Sequence, residues 1–168
     1  MKRHLAFVLL FIFLLSCSRV DELGTHIGIG ESLPEFSTFT LDGRNVSTAD
    51  LVGKPSVVIL FDTTCPDCHR QLPQVQAAYD ALSDKVNVLA VSRKDVPDAV
   101  SEFWAANGFT IPVATSKGPD IYQAFDRGSK SGVPQLYLCN PGGIVLFYSG
   151  DERVTTTTEI VREISDFI

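Results

Sequence analysis

The sequence predicts an α/β domain in which helices flank a mixed β-sheet. Short apolar runs of strand length alternate along the chain with longer segments of helical spacing, a pattern typical of parallel strands joined by helices. Only the turn sequence Asn140-Pro141-Gly142-Gly143 separates the last two apolar runs, so these strands form an antiparallel hairpin. An amphipathic segment follows the hairpin and is expected to cover the sheet.

The first half of the domain is predicted to contain a hairpin, a buried strand and a long helix. Residues 36–41 alternate apolar and polar side chains, Asp42-Gly43 marks a turn, and Val46 lies in the return strand. The continuous apolar run 57–61 then indicates a strand buried on both faces. Apolar residues recur after it at steps of four and three, which defines one face of a helix: Cys68, Leu72, Val75, Tyr79 and Leu82. Pro73 is expected to kink this helix.

The second half supplies the remaining strands and helices. Strands are expected at residues 86–91, 111–114, 135–139 and 144–148, and helices at residues 97–107 and 119–125. Gly108 marks the end of the first of these helices. Thr156 and Glu159 have the spacing of a capping box before Ile160 and Ile164, which predicts the closing helix.

The N-terminus has the layout of an export signal. Basic residues 2–4 precede the apolar segment 5–15, which falls short of the roughly 20 residues needed to span a bilayer. Leu14-Leu15-Ser16-Cys17 resembles a bacterial lipobox, although an ordinary signal peptide with an incidental cysteine stays open. We therefore predict a signal peptide at residues 1–16, lipidation at Cys17, a flexible tether at 17–30 and the domain at 31–168.

Charge and cysteine content narrow the possible functions. Removing Lys2 and Arg3 with the signal leaves 12 basic and 20 acidic residues, a formal charge of −8, which argues against nucleic acid as a partner. The lipid anchor makes the membrane the first predicted partner. Of four cysteines, lipidation of Cys17 leaves the Cys65/Cys68 pair and the odd Cys139.

Cys65-Pro66-Asp67-Cys68 is the candidate site because it lies between a buried strand and a helix. A helix N-terminus favours a negatively charged sulfur, so Cys65 is the candidate attacking thiol. Cys68, one turn later on the apolar face, is the candidate resolving thiol. The redox-active Cys65–Cys68 disulfide requires no additional cofactor. A structural disulfide would close too short a loop to stabilise the fold much.

Two other uses of this motif stay open. Zinc needs two further ligands, and His26, His69 and Cys139 are the remaining candidates. The sequence Cys65 to His69 also satisfies the CxxCH pattern of covalent haem attachment. Against haem, His69 lies on the polar side of the predicted helix, and Met1, the sole methionine, is removed with the signal.

Several features in order resemble the thioredoxin-like superfamily. They are the strand 57–61, the Cys65–Cys68 junction, Pro73 inside the helix, and Gly132-Val133-Pro134 just before a strand. The hairpin at 36–46 and the helix-strand insert at 97–114 are similar to those of the TlpA/ResA-like membrane-tethered proteins. The resemblance implies a thioredoxin-like fold and a thiol-disulfide oxidoreductase.

The resemblance also implies partners and further site residues. Pro134 is expected to be cis and to face the cysteines, with the Val133 backbone binding a substrate segment. The substrates would be protein disulfides, an apocytochrome in cytochrome c maturation among them. A membrane partner would supply electrons to a monomer on the periplasmic side of the membrane. A peroxiredoxin-like thiol peroxidase and a non-catalytic thioredoxin-like binding module remain as alternatives.

This chain departs from the family pattern at several positions. Thr64 replaces the aromatic residue usually found before the first cysteine, and we expect it to cap the helix together with Asp67. Ile59 and Gln71 occupy positions where relatives carry a carboxylic acid, so the sequence names no proton acceptor for Cys68. Cys139 is predicted to be a buried small side chain, with a third redox thiol as the alternative.

Overall fold

A five-stranded mixed sheet forms the centre of the domain in the computed structural model, which describes residues 26–116, 120–127 and 132–168. The strands of the described chain are β1 (Ser37–Phe39), β2 (Asn45–Ser47), β3 (Ser56–Phe61), β4 (Asn87–Ser92), β5 (Val113–Thr115), β6 (Gln135–Cys139) and β7 (Val145–Ser149). The sheet order is β5-β4-β3-β6-β7. β3, β4 and β5 run parallel, whereas β6 and β7 are antiparallel to their neighbours, which confirms the predicted mixed sheet.

β3 is the middle strand, and all six of its residues are buried. Ile59 lies opposite Ala90 on one side and Leu136 on the other. Such a strand faces the core on both sides and is therefore apolar throughout instead of alternating. The chain leaves this buried strand directly into the candidate site.

Four helices flank the sheet within the described residues. They are α1 (Pro66–Leu82), α2 (Pro97–Asn107), α3 (Asp120–Asp126) and α4 (Thr157–Ile164). Short 3-10 helices also occur at Thr48–Leu51, Ser83–Lys85 and Ser165–Phe167. α1 packs against α4. The exposed Pro73 lies within α1 without ending it, so the helix continues to Leu82, and the kink stays a prediction.

The predicted helix ends are confirmed where the sequence carries a specific capping signal. Gly108 follows α2 with a φ of 66°, in the left-handed region that glycine adopts without steric cost. Thr156 precedes α4, and its hydroxyl accepts from the Glu159 N–H at 3.3 Å, while a Glu159 oxygen accepts from the Thr156 N–H at 2.8 Å. This reciprocal pair is the capping box expected from the spacing.

The predicted N-terminal hairpin is present as a separate two-stranded antiparallel sheet. β1 and β2 pair with Thr38 opposite Val46. Just beyond β1, Thr40 forms an isolated antiparallel bridge with Ala114, and the Leu41 N–H donates to the Val113 carbonyl at 2.9 Å. The hairpin thereby covers the β5 edge of the central sheet.

The described chain is bound to the domain from residue 26, although we expected a tether up to residue 30. Ile27 is only 3% exposed, and its N–H donates to the Phe125 carbonyl at 2.9 Å. The His26 ring stacks on Tyr148 at a centroid distance of 3.9 Å. Two isoleucines among glycines, Ile27 and Ile29, are too short a pattern to predict an element, so the sequence carried no clear signal for this docking. The signal peptide, Cys17 and the rest of the tether lie outside the described residues.

None of the helices in the described part of the chain has both the length and the apolar character needed to cross a membrane.

Candidate active site

The cysteine pair lies at the start of α1, at the carboxyl end of the central strand β3. α1 begins at Pro66, a residue suited to the first helical position, so Cys65 occupies the N-cap. The Cys68 N–H donates to the Cys65 sulfur at 3.2 Å. The sulfur therefore takes the capping position that we predicted for Thr64, and this prediction was wrong because the helix starts one residue later.

The two sulfurs differ in their environments. Cys65 is partly exposed, whereas Cys68 is fully buried on the inner face of α1. Burial, followed by the hydrogen bond with Cys65, raises the pKa of the Cys68 thiol strongly. The pair thus presents one accessible sulfur and holds the second, as a neutral thiol, beneath it.

The predicted proline loop faces the accessible sulfur. The Val133–Pro134 peptide bond is cis, and the Val133 carbonyl lies 3.2 Å from the Cys65 sulfur. Gln135, the first residue of β6, donates from its amide to the Gly132 carbonyl at 3.1 Å and to Asp126 at 3.3 Å. These contacts hold the Val133 backbone beside Cys65.

The other predicted motif residues lie around the accessible sulfur. Thr64 and Pro66 are exposed, and Asp67 is partly exposed in the first turn of α1, where a carboxylate is favoured by the helix dipole. Asp67 also forms an ion pair with Arg70. Thr64 and Pro66 therefore form part of the surface that a partner bound at Cys65 would meet.

His69 makes structural contacts beside the site. Its Nε2 atom lies 2.5 Å from the Thr63 carbonyl, and its exposed ring stacks on Phe103 at 4.9 Å. The ring thereby links α1 to the loop before Cys65 and to α2. Among the described residues, no group of three or more His, Cys, Asp or Glu side chains is arranged to hold a metal ion.

At the two positions where the family resemblance implies a carboxylic acid, this chain has the uncharged side chains of Ile59 and Gln71. Ile59 is completely buried in β3. Gln71 is 1% exposed, and its amide donates to the Thr155 carbonyl at 2.9 Å while its oxygen accepts from the Thr155 N–H at 2.7 Å. Gln71 therefore joins α1 to the segment before α4 as an uncharged bridge.

Asp62 is a site residue that the sequence reasoning missed. It directly follows β3, is 2% exposed, and forms ion pairs with Arg93 and with Lys94, whose Nζ lies 3.3 Å away. Its carbonyl accepts from the Cys65 N–H at 3.2 Å. The signal in the sequence was an acidic residue ending an otherwise apolar strand three positions before Cys65.

Cys139 does not share this site. It is fully buried at the end of β6 and lies opposite Ser56, at the far end of β3 from Cys65. The five-residue step along β3 corresponds to about 17 Å at roughly 3.3 Å per residue. Burial raises the pKa of Cys139 to about 12. Its environment is that of the small buried side chain predicted from the sequence.

Comparison with known proteins places this geometry in a family. Residues 29–148 match the AhpC/TSA family. The chain belongs to the AhpC/TSA family. The thiol-disulfide oxidoreductase ResA of Bacillus thuringiensis (strain Al Hakam) is 28% identical over 119 residues, which cover 70% of this chain and 67% of that protein. ResA of Bacillus subtilis (strain 168) is 27% identical over 143 residues, covering 84% of this chain and 75% of that one.

Solved structures agree with this family assignment at the level of the fold. A putative protein disulfide isomerase from Bacteroides thetaiotaomicron superposes with a TM-score of 0.77 at 20% identity, covering 84% of this chain and 90% of that one. Within the AhpC/TSA family the chain is a TlpA/ResA-like protein with a thioredoxin-like fold, and it is a thiol-disulfide oxidoreductase.

Proposed function

We propose that this protein is a lipid-anchored extracytoplasmic enzyme that reduces protein disulfides through Cys65 and Cys68. The observation that carries the proposal is the accessible Cys65 sulfur, which caps a helix and has the buried Cys68 thiol one turn behind it. A sulfur in the Cys65 position can attack a substrate disulfide, and the neighbouring Cys68 thiol can then release the substrate from the mixed disulfide. The ResA relatives, which are named thiol-disulfide oxidoreductases, support the same class.

In the first step the Cys65 thiolate attacks one sulfur of a substrate disulfide. A Cys65–substrate mixed disulfide forms, and the second substrate sulfur leaves as a thiolate that takes up a proton. Val133 is the proposed substrate-binding residue, because its backbone lies beside the Cys65 sulfur and an extended substrate segment can pair with it. Backbone pairing of this kind accepts substrates of different sequence.

In the second step Cys68 attacks the Cys65 sulfur of the mixed disulfide. The Cys65–Cys68 bond forms, the bond to the substrate breaks, and the substrate leaves with two electrons more than it brought. A membrane electron donor then returns the pair to the dithiol state. Lipidation of Cys17 would hold a monomer at the periplasmic side of the membrane, close to that donor, and an apocytochrome is one candidate substrate.

Trapping of the intermediate tests this mechanism. Cys68→Ala removes the resolving thiol, so mixed disulfides through Cys65 should accumulate in cells and appear as reductant-sensitive bands of higher mass. Cys65→Ala is the matched control and should form none. Complexes that are absent in Cys68→Ala, or that persist unchanged in Cys65→Ala, would contradict exchange, and the latter result would favour a binding module.

Membrane anchoring and direction of electron flow have separate tests. Cys17→Ala should move the protein from the membrane fraction to the soluble extracytoplasmic fraction, and unchanged fractionation would contradict lipidation at Cys17.

The redox potential of the Cys65–Cys68 pair, measured against a glutathione buffer, should lie near the reducing end of the range of about −270 to −120 mV spanned by known CxxC proteins. A potential at the oxidising end would reverse the proposed direction.

A thiol peroxidase is the second candidate because the chain matches the AhpC/TSA family. By resemblance, such peroxidases need proline seven residues and threonine or serine three residues before the cysteine, where this chain has Val58 and Asp62. The Asp62 carboxylate is buried and bound to Arg93. We therefore expect the purified protein to consume peroxide no faster than a free thiol does, and a much faster rate would favour the peroxidase.

A further inference from the structure

Gln135 is a fully buried glutamine at the start of a fully buried strand. All five residues of β6 are buried, and Gln135 is 0% exposed. Burying an amide side chain costs free energy unless its donors and its acceptor find partners. The groups that bind this amide therefore indicate why a glutamine stands at this position.

The amide group of Gln135 is held by three hydrogen bonds. Its nitrogen donates to the Gly132 carbonyl at 3.1 Å and to an Asp126 oxygen at 3.3 Å, and its oxygen accepts from the Tyr137 hydroxyl at 2.7 Å. Asp126 and Tyr137 are buried as well, with exposures of 1% and 0%. A carbonyl and a carboxylate only accept, so these partners determine the orientation of the amide. The side chain is thus fixed, and one of its bonds reaches the backbone next to Val133.

The bond to the Gly132 carbonyl also fixes the direction of the Val133 N–H. These two groups belong to one planar peptide unit, in which they point in opposite directions. Gly132 has no side chain that could anchor this unit, and the hydrogen bond from Gln135 supplies an anchor. The carbonyl of Val133, in the next peptide unit, lies 3.2 Å from the Cys65 sulfur. Gln135 therefore holds the backbone segment with which a substrate strand would pair.

We propose that Gln135 is a positioning residue for substrates whose disulfide is carried by an extended peptide. The inference rests on the proposed exchange function and on pairing of the substrate with Val133. By holding the peptide unit before Val133, Gln135 keeps the Val133 backbone in place to bind the substrate chain while Cys65 attacks the disulfide. A small disulfide has no peptide backbone to pair with, so its reaction with Cys65 does not depend on Gln135.

A purely structural role for Gln135 predicts a different result, because it would affect small and peptide disulfides alike. Tyr137 offers the comparison. Its hydroxyl donates to the Gln135 oxygen, whereas the Gly132 carbonyl is bound by the Gln135 nitrogen. Tyr137→Phe therefore removes one hydrogen bond of the same buried network and keeps the bond to Gly132.

The test compares two disulfides that release the same coloured thiolate, TNB, in a stopped-flow reaction with the detergent-solubilised, fully reduced protein. One is the aromatic disulfide DTNB, and the other is a short peptide whose single cysteine is joined to TNB by a disulfide. Cys65 attacks the peptide sulfur, a Cys65–peptide disulfide forms, and TNB leaves with the electrons of the broken bond. Cys65→Ala measures the background from other thiols. The ratio of the second-order rate constants, peptide probe over DTNB, measures the contribution of the peptide backbone.

Gln135→Met keeps the length of the side chain but removes both donors. It should lower the peptide-to-DTNB ratio about tenfold, or about 1.4 kcal/mol, which is the upper part of the range for one hydrogen bond. The DTNB rate constant should stay within about twofold of wild type, and Tyr137→Phe should keep the ratio within about twofold. An unchanged ratio in Gln135→Met, an equal fall in Tyr137→Phe, or equal slowing of both probes would overturn the proposal.

A second measurement needs no change at position 135, and so does not depend on whether Gln135→Met folds. In Cys68→Ala, which cannot resolve a mixed disulfide, the NMR signals of the Gln135 side-chain amide should shift more when Cys65 carries the peptide than when it carries TNB. Equal shifts would overturn the proposal. A wild-type ratio no larger than that of glutathione with the same probes would refute pairing at Val133 and with it the role of Gln135. A wild-type protein that releases TNB from neither probe would instead refute the exchange mechanism itself.

Discussion

Replacing Gln71 by glutamate should convert an uncharged bridge into a pH-sensitive one. Gln71 is 1% exposed, and its amide group bonds to both the N–H and the carbonyl of Thr155. In Gln71→Glu, one carboxyl oxygen can still accept from the Thr155 N–H. The other oxygen takes the place of the amide nitrogen and faces the Thr155 carbonyl, so only the protonated acid can reproduce the second hydrogen bond.

The size of the effect follows from this geometry. Burial and the opposing carbonyl both disfavour the carboxylate, and fully buried acids have their pKa raised by up to about 3–5 units. A rise of the folded-state pKa from about 4.3 to about 7 corresponds to roughly 3–4 kcal/mol at about 1.36 kcal/mol per unit. Because the folded-state pKa lies above the unfolded value, this stability is fully present below about pH 4.3 and is lost as pH rises through about 7.

Urea unfolding of the reduced protein at pH 5 and pH 8 measures this effect. Relative to wild type, Gln71→Glu should lose about 2–3 kcal/mol between the two pH values. Gln71→Leu is the control, since it leaves both Thr155 groups without their partner and should lose about 2–6 kcal/mol at either pH. A Gln71→Glu deficit that does not change with pH would refute the reasoning.

Three further predictions concern the capping box, the tryptophan and the buried cysteine. Thr156→Ala should lower the free energy of unfolding by about 1 kcal/mol because it removes the α4 cap formed with Glu159, and an unchanged urea midpoint would contradict this. Trp104→Phe should cost about 1–3 kcal/mol, since the Trp104 Nε1–H donates to the buried Ile111 carbonyl at 3.0 Å, and circular dichroism on heating would detect it. Cys139 should resist alkylation at pH 8 until the protein unfolds, because burial raises its pKa to about 12; mass spectrometry after a timed iodoacetamide pulse would show early labelling if this is wrong.

The elements with a strong periodic or capping signal could be read from the sequence. The run 57–61 lies within the central strand β3, and Gly108 and the Thr156–Glu159 box end or begin helices as predicted. These features depend on local residue order, which determines backbone propensity and the face that is buried. The same holds for the position of Cys65 and Cys68 at the start of α1.

Two features of the structure could not be predicted from the sequence. The docking of Ile27 on Phe125 joins segments almost a hundred residues apart, and no periodic pattern in the sequence predicts this contact. The shift of the helix N-cap from Thr64 to Cys65 is a change of one residue, which sequence patterns do not resolve. In both cases the outcome depends on where a single hydrogen bond forms.

The sequence by itself determined the α/β class, the cysteine pair at a strand-to-helix junction and the proline loop that follows later in the chain. Only the tertiary structure decided that the Cys65 sulfur caps the helix, that Ile27 docks on the domain, and that the buried Asp62 pairs with Arg93 beside the site. The physical reason is that burial and electrostatic environment arise from strands and loops brought together across the sheet. Asp62 follows β3 and Arg93 follows β4, and their ion pair forms because the folded chain places these two strands side by side.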